Sequence, residues 1–240
     1  FVVKTRSGGL SLPQGKDVAL TLMGITHGNE SAGIAALNGV LAHLASGAFD
    51  LPIAVAFLLG NPSAARENKR FLERDLNRSF GREGSAREER RAKALSAVLR
   101  STAYLVDYHQ VSRSSDRAFF IFPYNAKSYA FARAIAPRQT VVTHWGKPFS
   151  VEGMCSDEYV NSHGGTGISL ELGQNGFDPY QIAVGESCAM WAIRSVFDAL
   201  SGGFAAGSLR AGEGEIGELY TWADITPWPD VGFVDLDEGW

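Results

Sequence analysis

Apolar residues recur along the chain in short runs rich in β-branched and aromatic side chains, at residues 18–23, 53–59, 104–106, 119–122, 140–144 and 168–172. Runs of this length and composition predict β-strands. Between several of them the apolar spacing lengthens to the helical period. Ile34, Leu37, Leu41 and Leu44 share one face of a predicted helix that ends before Gly47. A second helix is predicted over residues 86–100, charged early and apolar through Leu95, Val98 and Leu99. A third, over 180–200, starts after Pro179 and stops at Gly202 and Gly203. Such alternation predicts an α/β layer structure, in which sites form in the loops leaving the carboxyl ends of strands.

From Gly202 the pattern changes. A Gly-rich, acidic stretch to Gly217 precedes Leu219, Tyr220, Trp222 and Ile225, then Pro227, Trp228 and Pro229. A segment this short builds no core of its own. The expected organisation is therefore a catalytic domain over residues 1–203, with 204–240 as a linker and the start of a truncated β-rich C-terminal domain.

Composition narrows the function classes. A chain of 240 residues, 45% hydrophobic and 20% charged, is ample for a buried core. Its net charge of -4, with no block of Lys or Arg, offers no surface for a phosphate backbone, so no nucleic-acid partner is expected. No apolar run nears the roughly 20 residues that span a bilayer, so no membrane partner is expected. Cys155 and Cys188 lack paired spacing, which argues against a disulfide scaffold or a thiolate zinc site and for a cytoplasmic setting.

Candidate chemistry follows the predicted strands. His27 and Glu30 stand three apart where the first strand gives way to the first helix. Imidazole and carboxylate are ordinary zinc ligands, and such a turn lets both converge on one ion. The pair alone equally suits a loop histidine beside a glutamate favoured by the helix macrodipole. His109 ends another strand, with Asp107 on the same strand face. Catalytic zinc takes three protein ligands and leaves one position open, and a nearby carboxylate often orients a ligating histidine. His27, Glu30 and His109 satisfy that count; by itself, His109 also reads as a hydrogen-bonded core histidine.

Glu171 interrupts an otherwise apolar strand, and a buried carboxylate is costly unless employed or paired. Beside a zinc ion it would take a proton from the attacking water and deliver it to the leaving amine; the competing reading is a structural ion pair. Residues 68–78 carry four cations between two strands. By default that is a solvated loop, yet arginine forks suit carboxylates and developing oxyanions. His43 on a helix and His144 in a strand read as structural. His163, in a Gly-rich turn shortly before Glu171, is a candidate for touching substrate, with Asn175 and Tyr180 as further pocket candidates.

Taken together, HGNE at 27–30, NP at 61–62, RF followed by DLNR between Arg70 and Arg78, DYH at 107–109 and ELG at 171–173 resemble the succinylglutamate desuccinylase and aspartoacylase family, related to the zinc carboxypeptidases. The resemblance covers nearly the whole chain. It implies a zinc-carboxypeptidase-like mixed β-sheet flanked by helices, and a C-terminal β domain that helps close the site. It implies one zinc ion per chain on His27, Glu30 and His109, Glu171 as general base and acid, and Arg70 polarising the scissile carbonyl. Asn77 and Arg78 are then expected against a substrate carboxylate. Where the two named branches carry an arginine a short way upstream of the base, this chain has Asn161, Ser162 and His163. A dicarboxylate and a monocarboxylate substrate therefore both stay open, with Arg113 or Arg117 as candidate second anchors. The expected activity is zinc-dependent hydrolysis of a small-molecule N-acyl amino acid. A carboxypeptidase-type peptidase and a non-enzymatic binding protein on the same scaffold are the alternatives, and a homo-oligomer is compatible with each.

Overall fold

Eight strands join in one mixed sheet in the computed structural model, which describes residues 2–3, 10, 12–113, 115, 117–144, 150–202 and 219–221. In chain order the elements are β1 (Val2–Val3), β2 (Val18–Gly24), α1 (Ala32–Ala45), β3 (Val55–Leu59) and α2 (Pro62–Arg66). A 3-10 turn (Leu76–Arg78), α3 (Arg87–Arg100), β4 (Thr102–Val111), β5 (Phe119–Pro123) and α4 (Ala126–Ile135) follow. Then come β6 (Thr140–His144), α5 (Ser156–Ser162), β7 (Thr166–Gln174), α6 (Pro179–Leu200) and β8 (Leu219–Thr221). The sheet order is β1-β3-β2-β4-β7-β5-β6-β8. Neighbours run parallel except β1 with β3 and β5 with β7. Each predicted strand and helix has its counterpart, and the fold is the mixed, helix-flanked α/β sheet that was expected.

The period-2 alternation of the strands divides the sheet into two faces. Leu20, Leu22, Val106, Tyr108, Ile168, Leu170, Phe120 and Phe122 pack into one core with residues of α1, α4 and α6. On the opposite side Met23 and Leu105 meet Leu95 and Leu99 of α3 and Tyr159 and Val160 of α5. The second face also carries polar rungs. His109 is in register with Glu171, and Glu171 with Phe119 of the antiparallel β5; one rung back, Asp107 pairs with Ser169 and Ser169 with Ile121. Because β2, β4 and β7 run side by side in parallel, their carboxyl ends deliver three loops to one edge of the sheet.

Helix ends follow local chemistry. Asp178 accepts bonds from Tyr180 N at 2.8 Å and Gln181 N at 3.3 Å ahead of Pro179, and α6 gives way to Gly202 at φ +73°. At the head of α3, Glu89 Oε2 accepts from Ala86 N at 2.9 Å. Helices α2 and α5 are five and seven residues long, too short for a helical period to be read from the sequence. No described helix is long and apolar enough to cross a membrane. Of the segment expected to open a C-terminal β domain, only Leu219–Thr221 is described, paired in parallel with β6; the rest of 204–240 lies outside the described residues.

Candidate active site

The chain leaves β2 through Ile25, at φ +52°, a left-handed conformation uncommon for a β-branched residue and held here by its surroundings. Asn61 N donates to Ile25 O at 2.7 Å, and Thr26 Oγ1 donates to Asp107 Oδ1 at 2.8 Å. The next turn is closed by Glu30 N donating to His27 O at 3.1 Å, which brings both side chains to one side. Gly28 is required by close approach: a Cβ there would lie 2.3 Å from Ala64 C and 2.6 Å from Lys69 O. Its N–H donates to Arg70 O at 3.1 Å, tying this turn to the arginine-rich loop.

His27, Glu30 and His109, each 3% exposed, converge beneath that turn. His27 Nδ1 lies 2.8 Å from Glu30 Oε1, and His109 Nδ1 lies 3.0 Å from Glu30 Oε2 and 3.2 Å from His27 Nδ1. The outward nitrogens are committed elsewhere. His27 Nε2 donates to Asp75 Oδ1 at 3.0 Å, and His109 Nε2 donates to Asp107 Oδ2 at 3.0 Å. Asp107 is fully buried and also accepts from Thr26 and Ser156. With the protons on Nε2, two imidazole lone pairs and a carboxylate face one another in a space shielded from water. A cation relieves that repulsion, and the donor set is that of zinc. Without one, a proton must stand in. Burial opposes charging His109, yet Asp107 and Glu30 hold its pKa well above the ordinary value. Burial likewise raises Glu30, but its bonds from His109 and His27 outweigh that and draw it down to about 2.

Glu171 sits one strand over, partly exposed at the floor of the same cavity. Its Oε2 is shielded from solvent and, among the described residues, meets no hydrogen-bond donor. Burial raises the carboxyl to about 7, against the pull of His109. An orphaned carboxylate beside a cation site is a costly arrangement that suits a group meant to exchange a proton with something bound.

The cavity measures about 660 Å³ and brings Arg70, Asn77 and Arg78 to the same space as the three donors and Glu171. Arg70 Nη1 reaches Glu30 Oε1 at 3.2 Å, and its Nη2 reaches Asp75 Oδ2 at 3.1 Å. Arg78 Nη1 donates to Asn77 O at 2.7 Å and meets Cys155 Sγ at 3.2 Å. Arg113 and Arg117 line the cavity as well. The floor continues from Glu171 over Phe119, Ile121, Thr140 and Val142, so one wall is apolar. His163 is placed elsewhere. It follows α5, its Nδ1 donating to Tyr159 O at 2.8 Å, and precedes the start of β7, whereas Glu171 lies towards the end of that strand. The side chains of Asn175 and Tyr180 are likewise absent from the cavity wall; the side chain of His144 lies outside the described residues.

Several groups were not anticipated from the sequence. Asp75, which orients His27 and caps the 3-10 turn through Asn77 N at 2.8 Å, stood among the cations that drew attention. Its pKa lies below the usual carboxylate range: burial opposes this, but the His27 bond and the charges of His27, Arg70 and Arg78 prevail. Gln110 donates its backbone N–H to Glu30 Oε2 at 3.1 Å, while its side chain accepts from Ala32 N at 2.9 Å and donates to Gln174 O at 2.8 Å, joining the end of β4 to the head of α1 and the end of β7. Asp157 lines the cavity from α5, its carboxyl raised by burial to about 7.

Residues 14–188 match the model of the succinylglutamate desuccinylase/aspartoacylase catalytic domain. A succinylglutamate desuccinylase of Yersinia pestis is 34% identical over 119 residues, which cover 44% of this chain and 36% of that protein. This chain therefore aligns with about a third of the length of that curated relative. Among solved structures, a succinylglutamate desuccinylase of Vibrio parahaemolyticus superposes with a TM-score of 0.67 at 16% identity, covering 89% of this chain and 64% of that one. The ectoine utilization protein EutE of Ruegeria pomeroyi superposes with a TM-score of 0.66 at 22% identity, covering 93% and 65%. Both similarities speak for the fold.

The crowded lone pairs predict that His109→Ala, measured by elemental analysis after purification with zinc, binds far less than one ion per chain; full retention would contradict the ligand set. A second expectation concerns pH. The native Glu171 carboxyl keeps its proton to about 7, while the unfolded one releases it near 4.5, so the native state loses stability as pH rises through that window. In metal-free protein Glu171→Gln should therefore melt above the unsubstituted chain at pH 8, with a smaller difference at pH 5. Equal melting temperatures at pH 8 would show that the carboxyl carries no burial penalty.

Proposed function

The chain belongs to the succinylglutamate desuccinylase/aspartoacylase family, and from that membership we propose that it is a zinc-dependent hydrolase of the amide bond of a small N-acyl amino acid. The observation that carries this reading is the convergence of His27 Nδ1, Glu30 and His109 Nδ1 in one cavity with the orphaned Glu171 carboxylate. One zinc ion held by those three residues would supply Lewis acidity, polarising the amide carbonyl and acidifying the water that attacks it.

The protein's own groups do the rest. Glu171 accepts the water's proton and passes it to the departing nitrogen, a role suited to a carboxylate whose shielded Oε2 meets no donor among the described residues. Arg70, already aimed by Glu30 and Asp75, presents a guanidinium edge to the oxygen that gains charge at the carbonyl. Asn77 and Arg78 offer amide and guanidinium donors to the substrate carboxylate. Arg113 and Arg117, on the loop after β4, line the part of the cavity where a second carboxylate would lie, and the Phe119–Ile121 wall would face an apolar group. Two buried cysteines without a disulfide, Cys155 and Cys188, suit the cytoplasmic setting included in this reading.

Loss of a general base costs on the order of 10² to 10⁴ in rate. Glu171→Gln should lower kcat by that order on N-acyl amino acids while retaining zinc; undiminished hydrolysis would remove Glu171 from the chemistry. The reaction class is tested with N-acetyl and N-succinyl amino acids beside short peptides, on the zinc-loaded chain. Faster peptide cleavage would favour a carboxypeptidase, and tight binding without turnover would favour a binding protein.

A further inference from the structure

Glu88 takes no part in the chemistry just described, yet it is 1% exposed and accepts four hydrogen bonds. Its Oε1 accepts from Leu72 N at 2.8 Å and from Asn61 Nδ2 at 3.1 Å; its Oε2 accepts from Glu73 N and Arg74 N, each at 3.1 Å. A carboxylate taken out of water is costly unless its acceptor sites are filled, and here three bonds come from one short stretch of backbone and the fourth from the Asn61 amide. The stretch matters because no helix or strand organises it. Between α2 and the 3-10 turn, the N–H groups of residues 72–74 find their partners on Glu88.

We propose that Glu88 is a positioning residue, the anchor that sets the loop carrying Arg70, Asp75, Asn77 and Arg78 against the cavity. Arg70 precedes the anchored residues and Asp75 follows them, so the three N–H bonds fix the spacing between the guanidinium and the carboxylate that orients His27. Asn61 extends the anchor. It donates its own N–H to Ile25 O at 2.7 Å, caps α2 through Ala64 N at 3.2 Å, and so registers the loop against the turn bearing His27 and Glu30. Glu88 also lies in the first turn of α3, where the helix end favours negative charge. All four partners are neutral amides, so the carboxylate works as a fixed pair of acceptors rather than as half of a salt bridge.

This inference rests on the deacylase reading, and one variant series separates the two. Glu88→Gln keeps the shape but turns one acceptor into a donor facing N–H groups. It should retain zinc and the circular dichroism of the unsubstituted chain while losing roughly 100-fold in kcat/KM, the order that misplacement of catalytic groups costs. In an Arg70→Ala background the same change should cost several-fold less than in the unsubstituted chain, because one of the positioned groups is already gone while Asp75, Asn77 and Arg78 remain. Equal losses in both backgrounds would overturn the proposal, as would an effect below about 2-fold in the unsubstituted chain. Amide hydrogen exchange supplies an arm independent of activity: Leu72, Glu73 and Arg74 should lose protection in Glu88→Gln while β4 keeps its own. Unchanged protection at those amides would refute the anchor even if no amide substrate is found, and absence of deacylation with lost protection would refute only the deacylase reading. Should Glu88→Gln fail to fold, Glu88→Asp, which keeps the charge at a shorter reach, is carried through the same measurements.

Discussion

Two imidazole nitrogens and a carboxylate are forced together with their lone pairs inward, and the surrounding structure is arranged to keep them so. The inward direction is not a property of the three residues themselves. It follows from Asp75 and Asp107, which claim the outward Nε2 protons of His27 and His109 and thereby fix both tautomers. Each orienting carboxylate is itself held: Asp107 by Thr26 and Ser156, Asp75 by Arg70 and the N–H of Asn77. The donors are therefore aimed before any ion arrives, so little reorganisation would accompany binding.

That preorganisation carries stability costs elsewhere in the site. Ile25 is held in a left-handed conformation, Glu171 keeps a shielded oxygen without a partner, and Asp157 sits buried with its pKa near 7. Departures from local preference that cluster around one cavity are the signature of a site maintained for function rather than for folding. The sheet beneath carries the load. Its large apolar core on the α1, α4 and α6 side leaves the opposite face free to bear the His109–Glu171 rung.

Much of this could be read from the chain because it depends on short-range periodicity. Strand runs ended at Met23, at His109 and just beyond Glu171, so the residues following them were expected at one edge of a sheet, and the three donors do converge there. What escaped was set by tertiary approach. Asp75 meets His27 across 48 residues and Glu88 reaches its loop from 14 to 16 residues downstream, separations with no period to betray them. His163 shows the converse. It is close to Glu171 in sequence, but an extended strand advances about 3.3 Å per residue, so a histidine before the start of β7 is carried well away from a glutamate near its end. Asn161 stands near the amino end of that same strand and donates towards the backbone of Gly167; among the described residues, the Arg side chains lining the cavity are Arg70, Arg78, Arg113 and Arg117.

The central claim is one of coordination geometry, and anomalous X-ray scattering at the zinc edge from crystals of the zinc-loaded protein measures it directly. The account predicts a single strong peak per chain, about 2.0–2.1 Å from the Nδ1 atoms of His27 and His109 and at similar range from the Glu30 carboxylate. A peak at some other cluster, or coordination through Nε2 of either histidine, would contradict it.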